Sequence, residues 1–286
     1  MTGVQTCALP ILNLYPVGQF FSGNFALKFN LWINWRDFNT STEHALFGIN
    51  HSGQLTNRIT QAPSDGLFFA VAGDDDSSPD STVLRDYSVF RGGAGSAPIL
   101  MTTNNTVFGP APLLGPQFEN YNPGFVALFP AQIIPGFATT PPGTAGLGWI
   151  RGEVRQINQR ITWLFNDTII AQYTNLFAYT NGNIMLGYND HFSSIGDSNN
   201  FAIFDNIRVE SLSLAPVQLF APAITGNVFR FSFGTEAYED YHVQWTTNLN
   251  APSWTSYTNL MGNGSVVEIT CPLNTSAPRY FRVSRP

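Results

Sequence analysis

The chain has 286 residues, a net charge of −6 at neutral pH and an isoelectric point near 5.1. Without a basic stripe or tail to contact a phosphate backbone, it is not expected to bind nucleic acid. No apolar run approaches the roughly 18 residues that span a bilayer, so we expect no membrane insertion. Charged residues are 11% of the chain and aromatic residues 14%, whereas ordinary soluble domains are about 25% charged. This composition, rich in Asn, Thr, Ser, Gly and Pro, is typical of an all-β extracellular protein.

The first residues need separate treatment. Residues 1–11 resemble the in-frame translation of a sequencing-library adapter, and they lack the charged n-region and long apolar h-region of a signal peptide. We therefore expect them not to be native, with the true signal sequence lost upstream and the protein secreted or at the cell surface. Cys7 is then not biological, which leaves Cys271 as the only cysteine and predicts no intrachain disulfide.

An alternating apolar pattern predicts strands in the first part of the chain. Residues 25–35 show it over the greatest length, because the large apolar side chains share one parity and would face a core together. Those side chains are Phe25, Leu27, Phe29, Leu31, Ile33 and Trp35, with Lys28, Asn30 and Asn34 on the other parity. Further strands are predicted at residues 45–50, 67–72 and 84–90.

Residues 92–148 show no strand pattern. They are rich in Pro and Gly, with scattered aromatic residues such as Phe125 and Phe129. A long insertion without regular structure inside a compact domain is usually functional or mobile. The sequence therefore leaves the role of this segment open.

Residues 149–212 are predicted to form a β-meander. The expected strands are residues 149–156, 160–165, 168–173, 182–188 and 201–209, separated by polar turns. In the last strand Asp205 shares the parity of Ile203 and Ile207, so its carboxylate is expected to point inward. A buried carboxylate needs a partner, which can be a cation, an arginine or backbone N–H groups.

A second, smaller all-β unit is predicted after residues 213–222, which are expected to be a linker or a strand exchange. Alternating apolar residues continue to the end of the chain, and Trp245 and Trp254 are the expected core anchors. Cys271 lies on the apolar parity of its strand and is expected to be a small buried hydrophobe. The predicted domains are residues 12–214 and 222–286.

Three groups of segments, in order along the chain, resemble one known family. They are residues 23–27 with 47–51, residues 161–168, and residues 182–190 followed by 204–209. Together they are similar to the concanavalin A-like, or laminin G-like, jelly-roll domains of large secreted bacterial proteins. The resemblance implies an antiparallel jelly-roll β-sandwich. Because this fold carries lectins, adhesion modules, hydrolases and lyases, the resemblance leaves the function open.

The end of the chain carries a second resemblance. Residues 241–249, 253–255 and 279–283 are similar to the small fibronectin III-like β-sandwich modules that commonly end such bacterial extracellular proteins. The resemblance implies that residues 222–286 form a smaller β-sandwich with an accessory role.

The sequence carries no strong catalytic signature. A glycoside hydrolase needs two carboxylates facing one cleft, and the one pair at strand spacing, Asp74 and Asp76, lies in a loop of Gly, Ser and Pro. The Glu-x-Asp-x-x-Glu strand of the family's hydrolases is missing. Residues 151–157 are only faintly similar to alginate lyase motifs, with Asn158 in place of a histidine, and no Gly-x-Ser-x-Gly elbow is present. We expect no enzyme, although carboxylates from separate loops leave an inverting hydrolase open.

Two histidines are candidate ligand contacts. His51 lies in the polar turn that follows residues 45–50, and His191 follows Asp190. Each histidine is either a hydrogen-bonded turn residue or, with Asp190, a contact to a bound ligand.

Calcium is the candidate cofactor, because it accepts carboxylate, amide and carbonyl oxygens at loosely constrained spacing. Such side chains cluster around one loop and the strand after it, namely Asp190, Asp197, Asn199, Asn200 and Asp205. The alternative is that these residues form ordinary hydrogen bonds. The loop with Asp74 and Asp76 is expected to be solvated surface.

The favoured function is non-catalytic recognition of an extracellular polysaccharide or other glycan. Exposed aromatic rings would pack on the C–H faces of sugars, and Asn and Asp side chains would bind the hydroxyl groups. The first alternative is a structural or adhesive spacer in a larger cell-surface protein. The second alternative is a jelly-roll glycoside hydrolase or polysaccharide lyase. A groove lined by two or more exposed aromatic residues favours sugar binding, whereas a featureless face favours the spacer.

Overall fold

The computed structural model shows an all-β protein, in which most of the described residues lie in antiparallel strands. It describes residues 11–34, 43–59, 63–72, 87–93, 98–101, 123–134, 138–140, 143–176, 178–190, 200–213, 216–236, 239–273 and 278–285. The chain divides into two compact units, Met1–Leu212 and Ser213–Pro286. Within the described residues no helix has the length and apolar character needed to cross a bilayer.

The first unit is built from two antiparallel sheets. Its elements are β1 (Ile11–Leu14), β2 (Phe25–Asn34), β3 (Glu43–His51), β4 (Leu67–Ala72), β5 (Tyr87–Arg91), β6 (Pro98–Met101), α1 (Pro123–Leu128), β7 (Gln132–Ile134), β8 (Ala138–Thr140), β9 (Ile150–Ile157), β10 (Arg160–Phe165), β11 (Thr168–Thr174), β12 (Asn183–Asp190) and β13 (Phe201–Ser211). One sheet has the order β1-β12-β3-β4-β5-β6 and the other β11-β10-β9-β2-β13, while β7 and β8 form a separate hairpin.

The core of the first unit lies between these two sheets, which makes the unit a β-sandwich. The apolar parity of β2 is buried, as its alternation predicted, and Phe29 packs against Phe47 of the opposite sheet with ring centroids 4.7 Å apart. Trp163 of β10 is fully buried and contacts the rings of Phe47 and Phe69 at 5.3 and 5.4 Å. Rings that meet edge to face in this way stabilise the core beyond their buried area.

The last strand of the first unit departs from its predicted orientation. In β13, Ala202 and Phe204 pack against the core, while Asp205 is exposed. Two residues of β13 oppose one of β2 between Asp205 and Arg208, and Asn206 in this β-bulge has a positive φ of 51°. The predicted inward orientation of Asp205 is therefore wrong, because the bulge changes which parity faces the core.

Two segments hold elements that alternation did not predict. Residues 92–148, which show no strand pattern in the sequence, contain β6, α1, β7 and β8, and Phe125 and Phe129 are buried beside Tyr87. At the other end of the unit, β1 pairs with β12 and begins at Ile11, the last residue of the predicted non-native segment. Strands of three or four residues and a helix of six are too short for a period to be recognised in the sequence.

The second unit contains two three-stranded antiparallel sheets. Its strands are β14 (Leu219–Thr225), β15 (Val228–Gly234), β16 (Asp240–Thr246), β17 (Thr255–Met261), β18 (Val266–Pro272) and β19 (Tyr280–Ser284). The sheet orders are β14-β15-β18 and β17-β16-β19. Strand β14 therefore begins within residues 213–222, the stretch expected to be a linker or a strand exchange.

The core of the second unit differs from the predicted one. Phe231, Phe233 and Tyr241 are its largest buried side chains, and Cys271 is buried among them as expected. Trp245 and Trp254 are only half-buried. Each lies under an arginine guanidinium, Arg279 at 4.6 Å and Arg282 at 4.3 Å from the ring centroid, so the two tryptophans take part in cation–π contacts near the surface.

Candidate functional site

The outward face of the sheet β11-β10-β9-β2-β13 carries exposed aromatic and apolar residues. Trp32 of β2 lies opposite Ile203 of β13, and Trp149 lies just before β9 on the other side of Trp32. Trp149 is 54% exposed, Ile203 45% and Phe201 38%. We refer to Trp32, Trp149, Phe201 and Ile203 as the aromatic platform. It is a set of large apolar groups that water contacts directly.

The two tryptophans of the aromatic platform support each other. Their ring centroids are 5.8 Å apart and the rings are inclined at 67°, an edge-to-face arrangement. The indole N–H of Trp32 donates to Oδ1 of Asn34 at 3.4 Å, which helps to orient that ring. An edge-to-face pair leaves ring faces available for a further apolar surface.

A row of polar residues crosses the same face next to the aromatic platform. The strand register places Asp205, Asn30 and Arg151 side by side on β13, β2 and β9. The Arg151 guanidinium lies 2.7 Å from Oδ2 of Asp167, and the Arg151 backbone N–H donates to Oδ1 of Asn166 at 2.9 Å. These side chains offer hydrogen-bond donors and acceptors beside the tryptophan rings.

The next two rows along the face carry charged residues in ion pairs, with Arg208, Lys28 and Glu153 in one row and Glu210 and Arg155 in the row after it. Lys28 Nζ lies 2.6 Å from Oε2 of Glu210, Arg208 Nε lies 2.7 Å from Oε1 of Glu210, and Arg155 Nε lies 2.6 Å from Oε1 of Glu153. The hydrogen bond from Lys28, and to a smaller extent that from Arg208, lowers the pKa of Glu210. The face therefore changes from apolar to polar to charged over neighbouring rows.

Two small clefts lie on either side of the turn between β10 and β11. One has a volume of about 150 Å³ and is lined by residues that include Asn30, Arg151, Glu153 and Asp167. The other has a volume of about 170 Å³ and is lined by residues that include Trp149 and Asn166. The outward face thus combines exposed rings with clefts whose walls can form hydrogen bonds.

His51 lies in a buried polar cluster on the outer side of the other sheet. It is 1% exposed, and its Nδ1 atom lies 3.1 Å from Oδ1 of Asp65 and 3.1 Å from Nδ2 of Asn57. Asn57 Nδ2 also donates to the Tyr15 hydroxyl at 2.7 Å, and burial raises the pKa of Tyr15 to about 12. Of the two alternatives stated for His51, this burial favours the hydrogen-bonded residue, and the ligand contact stays a prediction.

The His51 ring fits only because two neighbouring residues are glycine. A Cβ atom on Gly48 would lie 2.2 Å from His51 Nε2, and one on Gly66 would lie 2.6 Å from His51 Nδ1. Gly66 also has a positive φ of 68°, a conformation that other residues rarely adopt. The cluster is therefore a packed structural feature that joins the end of β3 to the loop before β4.

The other predicted site residues are not brought together by the described residues. Asp190 is the last residue of β12, but its side chain, with His191, Asp197 and Asn199, lies outside the described part of the chain, as do Asp74 and Asp76. Asp205 is on the outward face of β13. Among the described residues no group of three or more His, Cys, Asp or Glu side chains could hold a metal ion. The calcium site stays a prediction for the loop between β12 and β13.

Sequence reasoning missed the aromatic platform, although a signal for it was present. Trp32 falls on the polar parity of β2, with Lys28, Asn30 and Asn34. A tryptophan on the solvent-facing parity of a strand is an exposed ring unless another element covers it. Trp149 is the first residue of the predicted strand 149–156, on the parity of Arg151, and only the pairing of β2 with β9 places it beside Trp32.

Comparison with known proteins finds distant structural likenesses. No protein-family model matches the chain, and no curated protein matches it. A carbohydrate-binding module from Bacillus subtilis, CBM66, is 12% identical, with a TM-score of 0.40 over 71% of this chain and 84% of that chain. A protein from Parabacteroides distasonis ATCC 8503, provisionally described as a glycosyl hydrolase, is 13% identical, with a TM-score of 0.36 over 73% of this chain and 78% of that chain. At this distance neither protein's ligand or reaction transfers to this chain, and the resemblances to concanavalin A-like and fibronectin III-like domains stay predictions.

Proposed function

We propose that the first unit is a non-catalytic, extracellular carbohydrate-recognition module and that polysaccharide binds across its aromatic platform. The observation that carries the proposal is the pair Trp32 and Trp149 on the outward face of the sheet, with Trp149 54% exposed. Sugar rings have apolar C–H faces that pack on aromatic rings. The neighbouring Asn30, Arg151 and Asp205 would bind the hydroxyl groups around such a ring.

The aromatic platform favours binding over a purely structural role. A spacer domain gains nothing from two adjacent tryptophans that water contacts, because exposing apolar area is unfavourable and promotes aggregation. Contiguous exposed apolar groups with a polar border are typical of interaction sites. The polar row and the paired charges beside the rings form such a border.

A catalytic alternative is motivated by one of the clefts. Glu153 and Asp167 both line the cleft of about 150 Å³. Each carboxylate is bound to an arginine, Glu153 to Arg155 at 2.6 Å and Asp167 to Arg151 at 2.7 Å. We assign these carboxylates to ion pairs that shape the cleft, and we infer recognition without bond cleavage.

The extracellular location is part of the same proposal and is supported by the low charge and high aromatic content of the chain.

The test is a glycan array probed with the full chain in calcium and again in chelator. We expect binding to at least one polysaccharide class, and Trp149→Ala should weaken it about tenfold or more, a loss of about 1.4 kcal/mol, because the ring stacks on the sugar. Phe20→Ala is the matched control, since Phe20 is an exposed aromatic residue, 68% accessible, outside the aromatic platform.

Three results would count against the proposal. One is no binding to any glycan in either condition, and another is equal binding by wild type and Trp149→Ala. The third is release of shorter sugars from a bound polysaccharide, lost in Glu153→Gln or Asp167→Asn, which would establish the hydrolase instead. Loss of binding in chelator would support the predicted calcium site without changing the assignment of the aromatic platform.

A further inference from the structure

The second unit has one closed side and one open side. Strands β17 and β18 are edges of different sheets, and the Tyr257 hydroxyl of β17 donates to the backbone carbonyl of Thr270 in β18 at 2.7 Å. The remaining edges, β14 and β19, flank the opposite side. Between them lies a cleft of about 360 Å³.

The cleft between β14 and β19 is lined mainly by apolar rings. Phe220, Phe229, Trp254 and Phe281 form part of its wall, and Arg279 is its one charged lining residue. Of its lining rings, Phe220 is 43% and Tyr280 41% exposed. Exposed rings at the side of a sandwich are an apolar surface that a further element can cover.

The backbone of β19 is available on the cleft side. Strand β19 pairs with β16 from Tyr280 to Ser284, and among the described residues no strand pairs with its other edge. Alternate N–H and C=O groups of an edge strand face outward and can pair with another chain. Strand β19 contains no proline, and the guanidinium of its one charged residue, Arg282, lies over the Trp254 ring.

The other flanking strand is protected. Strand β14 contains Pro222, which has no N–H to donate, and its register shifts between Phe220 and Ala223. Ala221 in this irregularity has a positive φ of 51°. Because a bulge and a proline interrupt the edge of β14, β19 is the strand that can accept a partner.

We propose that the cleft is a docking site for an extended strand of a separate partner polypeptide, which adds to the free edge of β19. Backbone hydrogen bonds to β19 would supply affinity, and alternate apolar side chains of the partner would fill the cleft against Phe229 and Phe281. A sugar could stack on these rings, but Arg279 is the one charged side chain of the lining, whereas an extended strand also finds the backbone N–H and C=O groups of β19.

The charge of the β19 edge indicates which side chains occupy the solvent-facing positions of the partner strand. Arg279 immediately precedes β19 and Arg282 lies within it. Although the whole chain has a net charge of −6, this edge is therefore locally basic. Opposite charges on directly facing strand residues stabilise pairing. The partner is therefore an extended segment with large apolar residues at alternate positions and carboxylates on the solvent-facing positions.

The experiment titrates the full chain with an acetylated and amidated ten-residue peptide that alternates valine with glutamate. Hydrogen exchange should slow at amides of β19 and not at those of β14. Phe220→Ala should weaken binding about fivefold, about 1 kcal/mol, while Ile224→Ala should not, since Ile224 is 66% exposed on β14 and does not line the cleft. Arg282→Glu should reverse the preference, so that a valine–lysine peptide binds more tightly than the valine–glutamate peptide.

Four outcomes would overturn the proposal. They are no binding of the alternating peptide, equal binding of a peptide with the same composition in scrambled order, and protection of β14 in place of β19. The fourth is concentration-dependent dimerisation of the chain that Phe220→Ala abolishes, which would assign the edge to a second copy.

Discussion

Replacing Asp65 with alanine should lower the free energy of unfolding of the first unit by about 3–5 kcal/mol, because it leaves several buried donors without an acceptor. Asp65 Oδ2 accepts the backbone N–H of Ser52 at 2.6 Å, and Oδ1 accepts Nδ2 of Asn57 at 3.0 Å. His51 Nδ1 lies 3.1 Å from the same Oδ1 atom. These contacts fasten the loop before β4 over the outer side of its sheet, where Ile59 packs on Phe68 and Phe90.

The same carboxylate gives the effect a pH dependence. Burial by itself would raise the pKa of Asp65, but hydrogen bonds from His51, Ser52 and Asn57 outweigh burial and hold this pKa well below its ordinary value. A carboxylate whose pKa is lowered by folding stabilises the protein at pH values above its unfolded pKa of about 3.9. That contribution is lost as the pH falls from there toward the folded pKa, so wild type should lose stability steeply below about pH 4.

Urea unfolding of the full chain at pH 7, 5, 4 and 3 measures both effects. Asp65→Asn should lose less stability between pH 5 and pH 3 than wild type does, because it has no carboxylate to protonate. Asp167→Asn is the control, since the Asp167 side chain is 74% exposed in a surface ion pair and should leave the pH dependence near that of wild type. Identical pH profiles for wild type and Asp65→Asn would contradict the assignment.

Replacing Trp163 with alanine should lower the free energy of unfolding of the first unit by about 3–5 kcal/mol, because it leaves a large cavity between the sheets. Trp163 is fully buried and touches the rings of Phe47, Phe69, Tyr87 and Phe165. For a unit of this size each kcal/mol shifts the melting temperature by about 2–4 °C, so a decrease of about 6–20 °C is expected.

Differential scanning calorimetry of the full chain checks this prediction. The transition of the first unit should move and that of the second unit should not. Trp149→Ala is the matched control, because it removes the same side chain from an exposed position and should cost less than about 1 kcal/mol. If the two tryptophan variants shifted the transition equally, the assignment of Trp163 to the core and Trp149 to the surface would be wrong.

Alternation predicted the strands wherever it continued for six or more residues. The predicted strand at residues 25–35 corresponds to Phe25–Asn34, and the one at residues 160–165 to Arg160–Phe165. Such strands can be predicted from sequence because successive side chains point to opposite faces of a sheet. A half-buried strand therefore alternates apolar and polar residues. Shorter strands such as Gln132–Ile134 have too few residues to show this alternation.

The candidate site was much less predictable. Trp32 and Trp149 are 117 positions apart, and the pairing of β2 with β9 brings them together. His51 had the appearance of an exposed polar turn residue, yet the loop that carries Asn57 and Asp65 folds over it. In both cases exposure depends on a segment distant in sequence.

The amino-acid sequence by itself determined that this protein is all-β, with strands whose apolar parity faces a core, because that information is repeated locally at every second residue. Tertiary structure alone decided the strand order, the bulge at Asn206 that turns Asp205 to solvent, the burial of His51 and the exposure of Trp149. Each of these depends on which distant strand or loop lies alongside, since solvent exposure is a property of the packed assembly and no single segment carries it.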